Sequence, residues 1–528
     1  MGNADLALLA LMVAVAGLGV LARRIGLPYS ILLVLGGLML GFVPGMPPVQ
    51  MPPDLVLLLF LPPLLYSAGF LSSPHDLRAE AIPITRLAVG LTLATMGAVA
   101  VTAHALVPDM PWPVALTLGA IVSPTDPLAA TAIARRLGAP RRVVTVIEGE
   151  GLANDATALV AYRIAVGVAL GATVTAWQVV TEFVLGFAGG VVIGLVVGWL
   201  AKQVRRRVDD PLVETSLALA TAYAAYLPAQ WLGVSGVLAA VTAGLYVGWH
   251  APTVMSPSTR LIGMAFWEVL DYLLNAVLFI LVGLQLHPIL TGVARRPATK
   301  LLGLALLVSA VVIAVRVAWH FTVPYLSSAL VPRRLRGGPG LDARQRLVVA
   351  WSGMRGAVSL TVALALPTGT ETGRPFPERD LIVFVTYVVI FTTLVLPGVT
   401  LPVLIRRLGV RDEGAAAREE TLARLAATDA ALTRLDELLT EARSRDEGTA
   451  QRLRRLLQLR RGRLAAQVGM INDTDVECRS LAYRQLVGEL IEAQRRTIVD
   501  LRDRGQISTD VLNRVQRDLD LEESRLEI

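Results

Sequence analysis

One cysteine in 528 residues, Cys478, excludes an intramolecular disulfide framework and a cysteine-based metal cluster. Charge is scarce too: Asp, Glu, Lys and Arg make up 17% of the chain, against about 25% in an ordinary soluble domain. No G-x-x-x-x-G-K-[ST] run occurs, so ATP hydrolysis finds no support as a driving force, and no cofactor is expected. No basic stretch precedes the first apolar segment, residues 4–22; its arginines, Arg23 and Arg24, follow it. That polarity is wrong for a cleaved signal peptide, and the segment is expected to span a membrane.

What the chain has is hydrophobic residues, 54% of them, unevenly spread. One apolar stretch follows another as far as residue 405; beyond it the sequence turns rich in Arg, Glu and Asp. Two domains are expected, a membrane domain over 1–408 and a helical cytoplasmic tail over 409–528. A spanning helix needs about 20 mostly apolar residues. On that rule thirteen segments qualify: 4–22, 28–43, 52–71, 84–107, 113–134, 143–170, 176–200, 212–229, 233–249, 266–286, 300–323, 345–366 and 381–405.

The net charge of +7 suggests nucleic acid at first sight, but the excess Lys and Arg sit mainly between apolar segments. Alternate connections carry Arg23, Arg24, Arg78, Arg86, Arg135, Arg136, Arg141, Arg142, Lys202, Arg205, Arg206, Arg207, Arg260, Arg333, Arg334, Arg336, Arg344, Arg346, Arg406 and Arg407; the opposite set carries Arg295, Arg296, Lys300, Arg374 and Arg379. The positive-inside rule then puts the N-terminus outside and the tail in the cytoplasm, although the connection around Arg295 runs against the trend. No nucleic-acid partner is expected; the partner is the bilayer.

Thirteen segments also suggest two six-helix repeats of opposite orientation, 1–6 and 8–13, a common architecture of secondary transporters. The expected fold is therefore an all-α polytopic membrane protein. The fifth segment of each half, the fifth and twelfth of the chain, is interrupted: by Ser123-Pro124-Thr125-Asp126-Pro127 and by Gly353-Met354-Arg355-Gly356. Corresponding broken segments point to a substrate site where they cross.

A charge at the bilayer centre costs about 2.5–3.5 kcal/mol on insertion scales. Asp126, Glu150, Asp155, Arg316 and Arg355 have no obvious route to the interface, whereas Glu148, Arg163 and Glu182 lie closer to helix ends or can snorkel. Pro127 removes the amide that would bond the Ser123 carbonyl, and Pro124 does the same to Ala120. Carbonyls freed at membrane depth survive only inside protein or beside a water-filled cavity, where they can coordinate a cation; the bland alternative is a plain proline kink. In the sixth segment, at about 100° per residue, Gly151 and Glu148 share the face of Asp155 while Glu150 points about 140° away. Asp155 therefore faces small residues, which leaves space for water and an ion. Glu150 is free to pair with Arg316 of the eleventh segment as a structural bridge. Arg355 sits where the second broken helix crosses the first and offsets the carbonyl ends of the half-helices. His104, alone among apolar residues, reads as a satisfied structural residue, and the glycine-rich 186–198 stretch as helix packing.

Together, Ser123 to Pro127, the Asn154-Asp155 pair five residues after Glu150, Arg355-Gly356-Ala357, and Phe266-Trp267-Glu268 with Asn275, Phe279 and Gly283 resemble the sodium/proton exchanger branch of the cation–proton antiporters. The run from Gly505-Gln506-Ile507-Ser508 to Leu526 looks like the tails of bacterial members. The resemblance implies a homodimer in the bacterial cytoplasmic membrane, each protomer with a dimerisation part and a moving core. It implies Asp155 as cation and proton carrier, Asp126 and Thr125 near the ion, the Glu150–Arg316 bridge, and electroneutral exchange, which goes with the Asn154-Asp155 form. Two departures remove possible ion ligands: Ser67 where many members have an acid, and Gly151 where many have a serine.

The resulting expectation is exchange of sodium or lithium for protons by alternating access through Asp155, with Asp126, Thr125 and Asn154 as the other binding residues. Ser67, Gly151 and Ser123 are candidates for the cavity lining. A potassium or broader monovalent cation/proton antiporter is the nearest alternative, and an ion channel shares intramembrane acids. An intramembrane aspartyl protease would need Gly-x-Gly-Asp and Tyr-Asp at these sites, and neither is there. In the tail, Leu422, Leu425, Leu432, Leu435, Leu438 and Leu439 follow helical spacing, which predicts amphipathic helices serving as a pH sensor or as a passive scaffold.

Overall fold

The computed structural model describes residues 3–25, 28–42, 52–208, 210–293, 297–330, 341–367, 369, 376–412, 414–440, 447–468, 474–504, 506 and 509–526. Arg295, Arg296, Arg333, Arg334, Arg336 and Arg374 of the charge tally, and Gly505, Ile507 and Ser508 of the tail, lie outside the described residues. The chain divides into two compact units, Met1–Arg411 and Asp412–Ile528.

The first unit is helical because its apolar runs leave the backbone no other way to satisfy its polar groups in lipid. In chain order the helices are α1 (Asn3–Ile25), α2 (Tyr29–Gly41), α3 (Pro53–Leu71), α4 (Pro74–Ala79), α5 (Ala81–Thr85), α6 (Thr92–Leu106), α7 (Trp112–Val122), α8 (Leu128–Arg136), α9 (Arg141–Ala169), α10 (Ala176–Arg205), α11 (Pro211–Trp231), α12 (Gly236–Val254), α13 (Pro257–Leu284), α14 (Leu286–Gly292), α15 (Ala298–Leu330), α16 (Ala343–Trp351), α17 (Ala357–Leu364) and α18 (Arg379–Leu408). A π-helical turn, Arg86–Leu91, joins α5 to α6. Among the described residues, eight helical stretches are long and apolar enough to cross a membrane alone. Three shorter apolar helices, Met12–Ala22, Tyr29–Gly41 and Trp112–Val122, accompany them.

Helix limits follow local chemistry. Asp342 and Gln345 form a reciprocal capping box at the start of α16, as Thr175 and Gln178 do at α10. Asp210 accepts from the Leu212 and Val213 amides ahead of α11. Pro62 and Pro63 leave α3 continuous.

The helices sort into two bundles. In one, α3 and α10 pack on α12, α2 on α13, α11 on α12 and α1 on α2. In the other, α6 packs on α7, α7 on α9, and α15 on α6, α16 and α18. Between them α17 touches α3 and α13, and α9 touches α10 and α12. The glycine-rich stretch of α10 serves packing: Gly190 and Gly194 lie against the Ser235 and Ala239 backbone. His104 is satisfied, its Nδ1 2.6 Å from the Met110 carbonyl oxygen and its ring stacked on Trp112.

The second unit holds, among the described residues, four helices, α19 (Ala415–Thr440), α20 (Glu447–Gln467), α21 (Thr474–Asp503) and α22 (Thr509–Leu526). Leu425 of α19 packs on Leu464 and Ala465 of α20, and Arg461 donates to Asp429 at 2.5 Å. Arg495 of α21 reaches Asp520 and Glu523 of α22 at 2.5 and 2.8 Å.

Candidate functional site

The two breaks meet. Helix α7 stops at Val122 and α8 starts at Leu128; α16 stops at Trp351 and α17 starts at Ala357. Two prolines interrupt the first pair and a Gly-Met-Arg-Gly run the second. The Asp126 amide donates across the crossing to the Met354 carbonyl at 2.8 Å. Asp126 also accepts from the Leu128 amide through Oδ1 at 3.0 Å, so its carboxylate caps the start of α8. Its other oxygen, Oδ2, lies where a Cβ on Gly356 would stand. Only glycine allows the two broken segments to approach this closely.

Arg355 is buried at the same crossing. Its Nε donates to the Val122 carbonyl at 3.2 Å and its Nη1 to the Gly353 carbonyl at 2.5 Å. The guanidinium thus sits on carbonyls at the ends of α7 and α16, where the helix dipoles gather partial negative charge.

Glu150 and Arg316 form a buried ion pair. Arg316 Nη1 donates to Glu150 Oε1, and Nη2 donates to Oε2 at 2.8 Å. The guanidinium also donates to the Ala350 and Val349 carbonyls at 2.9 and 3.0 Å, which ties α15 to α16. Glu150 Oε1 accepts a further bond from the Thr125 hydroxyl at 2.9 Å. Desolvating two charges is expensive, and it is offset only when the remaining donors and acceptors are also used, as here.

Asn154 connects this pair to the crossing. Its amide donates to the Thr125 hydroxyl at 2.7 Å and to the Thr125 carbonyl at 3.1 Å, while its Oδ1 has no donor among the described residues. Asp155, the next residue, is different. It lies half-buried in a narrow cleft with Ala120, Pro124, Ala158, Tyr162, Val358 and Ser359. Among the described residues no hydrogen bond or ion pair reaches its carboxylate. Pro124 of the first break lines the same cleft, so the Asp155 carboxylate lies next to the segment that carries Asp126. A carboxylate without a partner beside the first break, with an unused amide oxygen on the residue before it, forms a site a proton or a small cation can neutralise.

The three lining candidates have partners of their own, Ser123 and Gly151 at the first break and Ser67 on α3. Ser123 donates to the Ala120 carbonyl at 3.1 Å, within its own turn. Gly151 packs on the Pro127 ring, which a Cβ there would meet at 2.5 Å. Ser67 of α3 lies 2.7 Å from Asp271 of α13, an intramembrane acid that the apolar segments alone do not single out. Of the charges closer to helix ends, Glu148 pairs with Arg135 at 2.5 Å and Arg163 donates to Gln230.

Comparison with known proteins agrees with this architecture. The family profile described as "Sodium/hydrogen exchanger, transmembrane" matches residues 8–407. An uncharacterized Na(+)/H(+) exchanger of Mycobacterium tuberculosis is 38% identical over 527 residues, 98% of this chain and 95% of that protein. The Na(+)/H(+) antiporter ApNhaP of Aphanothece halophytica is 32% identical over 415 residues, 78% and 75% of the two chains. In fold, the sodium proton antiporter MjNhaP1 from Methanocaldococcus jannaschii matches with a TM-score of 0.59 at 21% identity, over 75% of this chain and 98% of that one. The chain is a membrane transporter of the sodium/hydrogen exchanger family.

Proposed function

We propose that this protein exchanges sodium or lithium for protons across the bacterial cytoplasmic membrane, with Asp155 as the group that carries either ion. One observation supports this reading above the others: of the three acids on α9, Glu148 pairs with Arg135 and Glu150 is saturated by Arg316 and Thr125, while Asp155 is left without a partner among the described residues. Low-dielectric surroundings disfavour a lone carboxylate charge, so it needs a neutralising ion. Proton and cation compete for it, and if the site is exposed to alternate sides only when neutralised, the two must exchange. Sodium is the substrate here, held by Asp155 with Asp126, Thr125, Asn154 and water. The neutral Asn154 beside Asp155 supports an electroneutral stoichiometry, one proton displaced per monovalent cation.

The same reading takes the protein as a homodimer, with its N-terminus outside and the helical tail, residues 409–528, in the cytoplasm. The bundle of α1–α3 and α10–α13 would be the dimerisation part and the bundle around α7–α9 and α16–α17 the moving core. No cofactor is needed, because the ion gradient supplies the driving force.

The test is cation-induced dissipation of a preset proton gradient in proteoliposomes, with sodium, lithium and potassium in turn. A sodium or lithium response that disappears in Asp155→Asn supports the carrier role and ranks the ions. Exchange at the wild-type rate in that variant makes Asp155 structural and sinks the mechanism. A response to potassium as large as that to sodium moves the protein to the broader monovalent class.

A further inference from the structure

Asp271 of α13 is an intramembrane acid that the exchange site leaves unused. It is half-buried, and among the described residues its side chain meets one polar partner, the Ser67 hydroxyl of α3 at 2.7 Å. Ser67 is itself buried, and its Oγ also lies 2.9 Å from the Leu64 carbonyl oxygen. A serine hydroxyl carries one hydrogen. It cannot donate to the carbonyl and to the carboxylate at once. Both contacts are hydrogen bonds together only when Asp271 holds a proton and donates it to Ser67 Oγ, which then donates to Leu64. When that proton leaves, the Ser67 hydrogen turns to Asp271 Oδ1, and the Leu64 carbonyl still accepts the helical amide four residues on. The pair accommodates either protonation state with its heavy atoms in place.

Its neighbours border a cavity shared with α8. Tyr272, the next residue, and Tyr29 of α2 pack ring against ring at 5.5 Å. Both line a cavity of about 860 Å³ that is bounded on its other side by Ala129, Ile133 and Arg136 of α8. On α13 Glu268 stands one turn before Asp271, and Asn275, one turn after, donates to the Asp271 carbonyl at 2.7 Å; on α3 Tyr66, next to Ser67, accepts from buried Arg205 of α10 at 3.2 Å. Among the described residues no hydrogen bond or ion pair from α1, α11, α14 or α17 reaches the Asp271 carboxylate.

We propose that Asp271 and Ser67 form a second binding site for a proton or a small monovalent cation, a waiting site on the bundle opposite the crossing that ions occupy before Asp155. Carboxylate, hydroxyl and carbonyl oxygens are the donors that a hard cation takes. The proposal rests on the exchange reading, and it predicts an effect on apparent affinity rather than on turnover.

Full-length wild type, Asp271→Asn, Asp271→Glu and Ser67→Ala are compared in proteoliposomes over a sodium series at two pH values. Asp271→Asn is expected to raise the half-saturating sodium concentration about tenfold, the loss of one favourable charge interaction. The maximal rate stays within about twofold, and the pH dependence of half-saturation flattens, because one competing proton site is gone. Asp271→Glu restores most of the affinity, and Ser67→Ala shifts it the same way by less. Wild-type half-saturation and pH dependence in Asp271→Asn overturn the proposal, and so does a complete loss of rate that Asp271→Glu fails to rescue. If Asp271→Asn does not fold, unchanged half-saturation in Ser67→Ala and Asp271→Glu overturns it instead. Binding of radioactive sodium to purified Asp155→Asn protein gives a reading independent of exchange. Residual binding that disappears when Asp271→Asn is added supports the second site, and no residual binding at all overturns it. Failure of the exchange reading shows separately, as a wild type that moves no protons in response to any cation.

Discussion

Glu150 and Asp155 sit five residues apart on α9, both carboxylates at membrane depth, in opposite circumstances. Glu150 is buried and fully engaged, bound twice by Arg316 and once by Thr125, with Arg316 itself anchored on two backbone carbonyls. Asp155 lies half-buried in a cleft beside the first break, with no partner among the described residues. An acid in the membrane is therefore not in itself a mark of transport. What separates the two is whether the protein already supplies the compensating charge. Where it does, the charge holds helices together; where it does not, the compensation has to arrive from solution.

The largest expected effect tests the uncompensated side. Asp155→Asn should reduce cation-driven proton movement in proteoliposomes to the background of empty vesicles. Its thermal unfolding in detergent should stay near that of wild type, because a neutral amide relieves the repulsion from Asp126. A variant that unfolds early but still exchanges would reverse the roles assigned to the two acids.

Glu150→Gln is the complementary break. It strands the Arg316 guanidinium in the interior, and removing one partner of a buried pair costs about 3–5 kcal/mol. The readout is the unfolding midpoint of the purified protein. Glu150→Gln combined with Arg316→Met should recover part of the loss, since neither charge is then left alone. If the double variant is no better than the single, Glu150 acts mainly through Thr125 and the crossing rather than through Arg316.

Much of this contrast is legible in the amino-acid sequence. Charges are so few within apolar segments that Glu150 has one plausible partner in Arg316, and the geometry joins them. The breaks are legible because proline removes an amide and because glycines flank Arg355. Three features are not. The π-helical turn at Arg86–Leu91 leaves the apolar pattern unchanged, so nothing in the sequence announces it. Gly151 reads as space for an ion along its own helix, but only the packing of α9 against the first break places Pro127 there. Asp271 escapes notice because the apolar run begins at residue 266, which puts the acid close to an expected helix end. The helix begins at Pro257, and Asp271 lies well inside it. The signal for that earlier start is Ser256, whose hydroxyl caps α13 at the Thr259 amide.

A smaller effect is expected at the crossing itself. Gly356→Ala places a methyl group against the Asp126 carboxylate, within a spacing only hydrogen fills. Overpacking of this kind costs typically about 1–3 kcal/mol. Because the strain falls beside Asp155, the unfolding midpoint should drop and the half-saturating sodium concentration should rise together. A change in stability alone would mean that Asp126 only caps α8.

The finest test asks to which of the two acids Thr125 belongs. Its hydroxyl already donates to Glu150 and accepts from Asn154, so both its hydrogen and one lone pair are committed. Thr125→Val keeps the shape and removes both bonds, while Asn154 retains the Thr125 carbonyl at 3.1 Å. The loss should be about 1–2 kcal/mol of stability, in the range of one or two net hydrogen bonds. Sodium half-saturation should rise less than about threefold, a fraction of the roughly tenfold that about 1.4 kcal/mol represents. In that case Thr125 counts mainly with the ion pair, as a clamp on Glu150, and reaches the transported cation through its carbonyl. A rise of about tenfold in half-saturation with an unchanged unfolding midpoint would instead put the hydroxyl on the cation. The division between the compensated and the open acid would then run through Thr125 itself.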